Sequence, residues 1–250
     1  MTRLRAITFD VTGTLIHAPR VAEIYAEVLQ RHGLDATPET VREFLPVVWQ
    51  EMACRTELGV DRFLAHPEGA RGWWRDFLRR LCEYLDTGPP TRFTASELYH
   101  RFSQADSWEV YPDVRETLGR LQNDLGLSLA VVSNWDDRLG RLLTHLDLIG
   151  YFDAVVFSAA IGVEKPDPRI FRYALELLDV APEEALHVGD DQRQDVEGAL
   201  AAGMHALLLV RSEAGGSPHR SMRSTRRSPK RGDLEDLAPL PGRIAAGGMT

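Results

Sequence analysis

Apolar residues run along this chain in two rhythms. Short continuous runs stand at LRAITF (4–9), LSLAVVS (127–133), DAVVFS (153–158), ALHVG (185–189) and HALLLV (205–210). Runs of this length, bounded by Gly, Asp and Ser, predict buried strands. Between the later runs the apolar positions recur every three or four residues. PDVRETLGRLQNDLG (112–126), DDRLGRLLTHLDL (136–148), DPRIFRYALELL (167–178) and QDVEGALAAG (194–203) carry this helical spacing. Asp167 is placed to cap the third of them and Pro168 to begin it. Continuously apolar strands alternating with amphipathic helices predict a doubly wound, parallel α/β sheet covered on both faces.

After the first run the rhythm is helical for some ninety residues. RVAEIYAEVLQRHG (20–33), TPETVREFLPVVWQEMACR (37–55), GWWRDFLRRLCEYL (72–85) and TASELYHRFSQA (94–105) predict four helices, with Thr37 and Thr94 as caps. No strand pattern interrupts them. Trp73, Trp74, Phe77, Leu78 and Leu81 form one apolar stripe, read as packing between helices; a ring turned toward a cleft as a lid is the sharper alternative. The chain therefore divides into a core of residues 1–16 and 109–211, an all-α insert over 17–108, a loop over 212–232 and a C-terminal tail over 233–250.

Composition changes this picture little. Of 250 residues, 44% are hydrophobic and 26% charged, as in ordinary globular proteins. No apolar run is long enough to span a bilayer, and the first strand follows the N-terminus too soon for a leader, so the expected setting is cytoplasmic. Cys54 and Cys82 sit in helical sequence and read as buried free thiols. The net charge of −8 argues against nucleic-acid binding by the body of the protein. Residues 219–231 carry six Lys/Arg and no acid, so −8 becomes −14 without them. That stretch reads as a solvated loop, or as a contact for phosphate-rich partners.

In a parallel sheet of this kind ligands bind at the carboxyl ends of the strands. Asp10 ends the first predicted strand; Ser133 and Asn134 end the second; Lys165 follows the third; Asp190, Asp191 and Asp195 follow the fourth. Each alone is ordinary turn or cap chemistry. Converging on one rim, they suit phosphoryl transfer. The carboxylates make an oxygen-rich Mg2+ site, Lys165 neutralises the phosphate, Ser133 and backbone N–H groups hold its oxygens, and Asp10 attacks.

The stretches DVTGTL (10–15), LAVVSN (129–134), EKPDP (164–168) and HVGDDQRQDVEGALAAGM (187–204), in this order, resemble the four motifs of the haloacid dehalogenase-like hydrolase superfamily. The helical insert stands where that superfamily carries its first-type cap. The resemblance implies an aspartyl-phosphate on Asp10 and metal ligation by Asp10, the Thr12 carbonyl and Asp190, with Asp195 orienting a metal-bound water. It implies a phosphate site of Thr12, Gly13, Ser133, Asn134 and Lys165, Mg2+ as cofactor, and a small phosphorylated metabolite as substrate.

The sequence departs from that pattern at Thr12. Phosphatases of the superfamily usually carry a second Asp there, which protonates the leaving group and then activates water. A threonine hydroxyl does neither, and loss of a general acid–base costs about 10²–10⁴ in rate. The same D-V-T-G-T run also resembles the phosphorylation motif of P-type ion pumps, where another domain supplies the acid. Glu51, Glu57, Asp61 or Asp136 would have to supply it here. Three readings stay open: a slow or specialised Mg2+-dependent phosphatase, a non-catalytic binding module, and a dehalogenase using the same nucleophile without metal.

Overall fold

The computed structural model describes residues 3–53 and 59–211. The basic stretch 219–231, the tail, Cys54 and Glu57 lie outside the described residues.

Strand β1 (Ala6–Phe9) is buried along its whole length. The chain then turns through DVTGTL into a two-residue strand β2 (Ile16–His17) and enters four helices: α1 (Val21–Arg31), α2 (Pro38–Ala53), α3 (Gly69–Tyr84) and α4 (Arg92–Arg101). It returns through β3 (Glu109–Val110), which pairs antiparallel with β2, Ile16 against Val110. Apolar spacing does not reveal this ribbon, because two residues are too few for any periodicity to register. From there the elements alternate: α5 (Val114–Asn123), β4 (Ser128–Ser133), α6 (Leu139–His145), β5 (Ala154–Phe157), the short α7 (Ser158–Ile161), α8 (Pro168–Leu178) and β6 (Ala185–Gly189). A π-type turn (Gln192–Glu197), α9 (Gly198–Ala201) and β7 (His205–Leu208) complete the described chain.

The five longer strands form one parallel sheet in the order β5-β4-β1-β6-β7. The period-two alternation of strands sorts their side chains between two layers. Ile7, Phe9, Leu129, Val131 and Val188 pack with Leu118, Leu121 and Leu142 on one face. Val132, Val156 and Ala185 pack with Ile170, Phe171 and Met204 on the other. The fold is a doubly wound α/β sheet with a helical insert, and the insert has its own apolar cluster, including Ile24, Val28, Val41, Val48, Phe77 and Leu98.

Two local expectations need correction. Thr94 does not cap α4. Thr91 does, accepting from Thr94 N–H at 3.2 Å, and the Thr94 hydroxyl answers the Thr91 N–H in a capping box. The predicted helix over 194–203 instead opens as the wide turn, with Val196 N–H donating to Asp191 O five residues back at 3.3 Å. Asp191 caps that turn through Arg193 and Gln194 N–H groups. The widened turn aims Asp195 back at β6.

Candidate active site

The rim of the sheet brings together residues from four separate stretches. β1 lies between β4 and β6 with Phe9 beside both Val131 and Val188, so the residues just beyond these strands emerge side by side. Asp10 N–H donates to Val188 O at 2.9 Å, which fixes where its side chain starts. Asp10 Oδ1 accepts from Ser133 Oγ at 2.9 Å and from Lys165 Nζ at 2.5 Å. The same ammonium donates to Asp195 Oδ1 at 2.5 Å, so Lys165 bridges two buried carboxylates.

Asp195 is fully engaged. Besides Lys165, its Oδ1 accepts from His187 Nε2 at 3.2 Å and its Oδ2 from Asp191 N–H at 2.9 Å. His187 Nδ1 meets Thr8 Oγ1 at 2.7 Å. A neutral ring satisfies both contacts when Nε2 carries the proton and Thr8 donates to Nδ1. Two glycines make the approach of the acids feasible. Gly13 has φ +85°, and a Cβ there would strike the Asp190 carboxylate. A Cβ on Gly189 would strike that of Asp195.

Asp190 stands apart from this network: among the described residues no donor reaches its half-buried carboxylate. One oxygen from each of Asp10, Asp190 and Asp195 lies within 4.8 Å of the others. Burial raises the pKa of Asp10, as does Asp195, while Lys165 and Ser133 oppose the rise. Burial lifts Asp190 well above the carboxylate range, helped by repulsion from Asp10 and Asp195. Burial works against the charge on Asp195 too, but Lys165 and His187 outweigh it and hold its pKa low. Lys165 has the mirror balance: burial disfavours its charge, and Asp10 and Asp195 more than restore it. Carboxylates crowded in this way are a donor set suited to a hard divalent cation, and the triad could hold one.

The expected site residues fall into three groups. Asp10, Ser133, Lys165, Asp190 and Asp195 converge. Asn134 takes a supporting part: its side chain accepts from Lys165 N–H at 2.7 Å and donates to Lys165 O at 3.0 Å, so it holds the lysine at the cavity's edge. Gly13 N–H, expected among phosphate donors, is already bonded to Ile16 O at 2.8 Å. Thr12 lies at the rim, where its Oγ1 accepts from Trp135 Nε1 at 3.1 Å.

Each described candidate for the absent acid is engaged by neighbours, although Asp61 keeps its buried Oδ2 without a partner. Glu51 pairs with Arg80 at 2.9 Å. Asp61 Oδ1 accepts from Phe63 and Leu64 N–H groups. Asp136 is held by Arg138 at 2.6 Å and by Trp74 Nε1 at 2.8 Å.

Sequence reasoning missed four contributors. His187 reads in sequence as a residue packed near its strand, and it is buried, but it also orients Asp195. Trp135, directly after Ser133 and Asn134, reaches Thr12. Gln194 accepts from Asn134 at 2.7 Å. Glu164, beside Lys165, makes a two-pronged pair with Arg62 of the insert at 2.8 and 3.2 Å. A His inside an apolar run and an acid adjoining the lysine were the available signals.

Above the rim lies a cavity of about 300 Å3, floored by Asp10, Thr12, Ser133, Lys165 and Asp190 and walled by insert residues that include Leu45, Trp49, Phe63, Trp74 and Phe77. The Trp pair therefore divides its tasks. Trp73 is buried among the helices, whereas Trp74 faces the cavity and bonds Asp136. Tyr99 of α4 likewise donates to Asp137 at 2.8 Å. No described helix is long and apolar enough to cross a membrane.

A Rossmann-like sheet with an acidic strand-end rim under a helical insert defines a class of α/β hydrolases. The profile of the haloacid dehalogenase-like hydrolases matches residues 4–203, and the chain belongs to that family. Its relatives include haloacid dehalogenase-like hydrolase domain-containing protein 3 of Mus musculus, 38% identical over 84% of each chain. Among solved structures, the HAD phosphatase of Thermococcus onnurineus is 25% identical with a TM-score of 0.60, covering 94% of this chain and 96% of its own. The L-2-haloacid dehalogenase of Xanthobacter autotrophicus is 26% identical with a TM-score of 0.63, over 84% of this chain and 79% of its own.

Proposed function

We propose that the protein is a Mg2+-dependent phosphomonoester hydrolase that works through an aspartyl-phosphate on Asp10 and is slowed by Thr12. The observation that carries this reading is the crowding of Asp10, Asp190 and Asp195 around one point beside Lys165. Asp10, Asp190 and the Thr12 carbonyl would hold Mg2+, with Asp195 ordering its water. Bound there, the ion supplies positive charge to the transferring phosphoryl oxygens.

The chain's own groups account for the rest. Lys165 keeps Asp10 ionised and offers charge to the incoming phosphate. Ser133 Oγ, now donating to Asp10, is within reach of a phosphoryl oxygen at the same point. Asp10 attacks phosphorus as the bond to the leaving oxygen breaks, and that oxygen departs with the electron pair. Thr12 gives it no proton, and the Trp135 indole holds the Thr12 hydroxyl as an acceptor. Hydrolysis of the aspartyl-phosphate regenerates Asp10, again without an acid–base at position 12, so this second step limits turnover.

A dehalogenase reading is favoured by the non-acidic Thr12 and by the 26% identical haloacid dehalogenase. The crowding of Asp190 against Asp10 and Asp195 weighs against it, because a haloacid's own carboxylate would add a fourth acid to the rim.

The test is turnover of phenyl phosphate and acetyl phosphate with Mg2+. Asp10→Asn is expected to abolish it, and Thr12→Asp to raise it by at least about tenfold. Mg2+ should also raise the melting temperature of wild type, more at pH 7.5 than at pH 5, because raised carboxyl pKa values leave fewer ligands ionised in acid. Undiminished turnover by Asp10→Asn refutes the nucleophile. Inert wild type and Thr12→Asp that still bind Mg2+ and phosphate would establish a binding module, and chloride released from 2-chloropropionate in EDTA a dehalogenase.

A further inference from the structure

The cavity above the rim has walls whose chemistry is unlike its floor, and the contrast restricts what a substrate can carry on its phosphate. The insert contributes ring faces and aliphatic carbons: Leu45, Trp49, Phe63, Trp74, Phe77 and Phe102 all line it. Most of its polar edges are already taken, those of Trp49 and Tyr25 excepted. Trp74 Nε1 donates to Asp136, Trp108 Nε1 to Phe102 O, Trp135 Nε1 to Thr12 and Tyr99 OH to Asp137. A sugar seated here would lose water from more hydroxyls than the edges of Trp49 and Tyr25 can answer.

The cations of the lining are likewise committed. Arg62 is paired with Glu164, Arg138 with Asp136, and Lys165 with Asp10 and Asp195. Among the described lining residues no cation remains to neutralise a second phosphate or a carboxylate. Arg62 also lies against the Trp49 and Trp73 rings, 5.5 and 5.9 Å from their centres, so it stiffens the aromatic wall and does not reach into the space. A neutral, flat, apolar group is what such walls accept, and about 300 Å3 is enough for one or two fused rings.

The floor points the same way for an independent reason. With Thr12 in place of an acid, the leaving oxygen must depart unprotonated. An aryl oxide, whose conjugate acid has a pKa of about 10, does so far more readily than an alkoxide, whose parent alcohol is about as weak an acid as water at about 15.7. From these two features the geometry points to an aryl phosphate monoester with an uncharged ring system as the substrate class. The ring lies against the cavity wall to which Trp49, Phe63 and Phe77 contribute. The phosphate sits at Asp10, whose carboxylate forms the new bond to phosphorus as the aryl–oxygen leaves as aryl oxide and takes its proton from water. This rests on the phosphatase reading and adds the identity of the organic part.

The experiment separates ring recognition from leaving-group chemistry and from turnover itself. With Mg2+ present, benzylphosphonate and methylphosphonate are titrated into wild type by calorimetry, since neither is hydrolysed. The ring is expected to tighten binding by at least about tenfold. Turnover of 1-naphthyl phosphate, acetyl phosphate and glycerol 3-phosphate is then compared. The expected order of kcat/KM is naphthyl above acetyl by about tenfold and above glycerol by at least about a hundredfold. Trp49→Ala and, separately, Leu45→Ala should each reduce the naphthyl-to-acetyl ratio several-fold. Equal affinity for the two phosphonates, or acetyl phosphate matching naphthyl phosphate in wild type, overturns the aryl pocket while leaving the phosphatase in place. Ring-selective phosphonate binding with no turnover of any phosphate overturns the phosphatase reading, and the aryl substrate falls with it.

Discussion

The floor and the walls of this cavity are held together by different physics. On the floor, Thr8, His187, Asp195, Lys165, Asp10 and Ser133 form one chain of hydrogen bonds in which each buried charge answers the next. Every member is necessary, because a buried ion without its partner is costly. The walls contain Trp49 edge-on to Trp73 and Phe77, with Phe63 edge-on to Trp73, and the rings share their contacts among many neighbours. Loss of one ring there leaves the others in place. The difference implies that the floor fails abruptly on single substitutions and the walls fail by degrees, and each prediction below presses on that contrast.

The largest effect is expected at Lys165. Its pKa is raised in the fold, so its contribution to stability is complete at neutral pH, below its unfolded value of 10.5, and is lost only as pH rises through the folded value. Lys165→Met leaves Asp10 and Asp195 buried without their cation. A cost of about 3–5 kcal/mol is expected, measured by urea unfolding at pH 7 in EDTA. A cost below about 1 kcal/mol would mean that water or rearrangement meets the two acids, and the floor would be no more exacting than the walls.

Trp74→Phe tests the join between the two regions. The ring remains and only its donor to Asp136 is lost. Because Arg138 still forks onto that buried carboxylate at 2.8 and 2.6 Å, the expected loss is about 1.5 kcal/mol, at the low end for a bond to a charged group. Asp136 also sits three residues beyond Ser133, so the substitution should loosen phosphate binding measurably. A stability loss with unchanged phosphate affinity would show that the join holds the insert without positioning the rim.

These regions were not equally legible in the sequence. β6 (Ala185–Gly189) was bounded to the residue because its apolar run ends sharply in Asp190, and Asp10, Ser133, Lys165 and Asp195 followed from strand-end logic. What sequence could not supply was connection across space. His187 reads as an apolar-strand residue whether or not it meets Asp195, and nothing marks Glu164 until Arg62, 102 positions earlier, is seen beside it. The widened turn after Asp191 eluded periodicity because one extra residue per turn is invisible in a ten-residue window. In the insert, helical spacing placed Trp73 and Trp74 on one element but could not say which ring turns to the cavity, since adjacent residues differ by only about 100° around a helix.

The smallest effect is the most specific. Burial lowers the pKa of His187 more than Asp195 raises it. Below its unfolded value of 6.5 the unfolded chain takes up a proton that the folded ring refuses, so stability falls as pH drops through that value toward the folded pKa. The slope from one such group is at most about 1.4 kcal/mol per pH unit. His187→Gln can keep a donor toward Asp195 and an acceptor toward Thr8 while removing the titration. Plotted between pH 7 and pH 5, the stability difference between wild type and variant should therefore tilt, the variant losing less in acid. His17, whose pKa burial also lowers, acts equally in both proteins and cancels from the difference. Phe77→Leu, a change in the walls, should lower stability by the same amount at each pH. A flat His187→Gln difference beside a tilted Phe77→Leu one would reverse the assignment, placing the proton-sensitive element in the insert instead of under the rim.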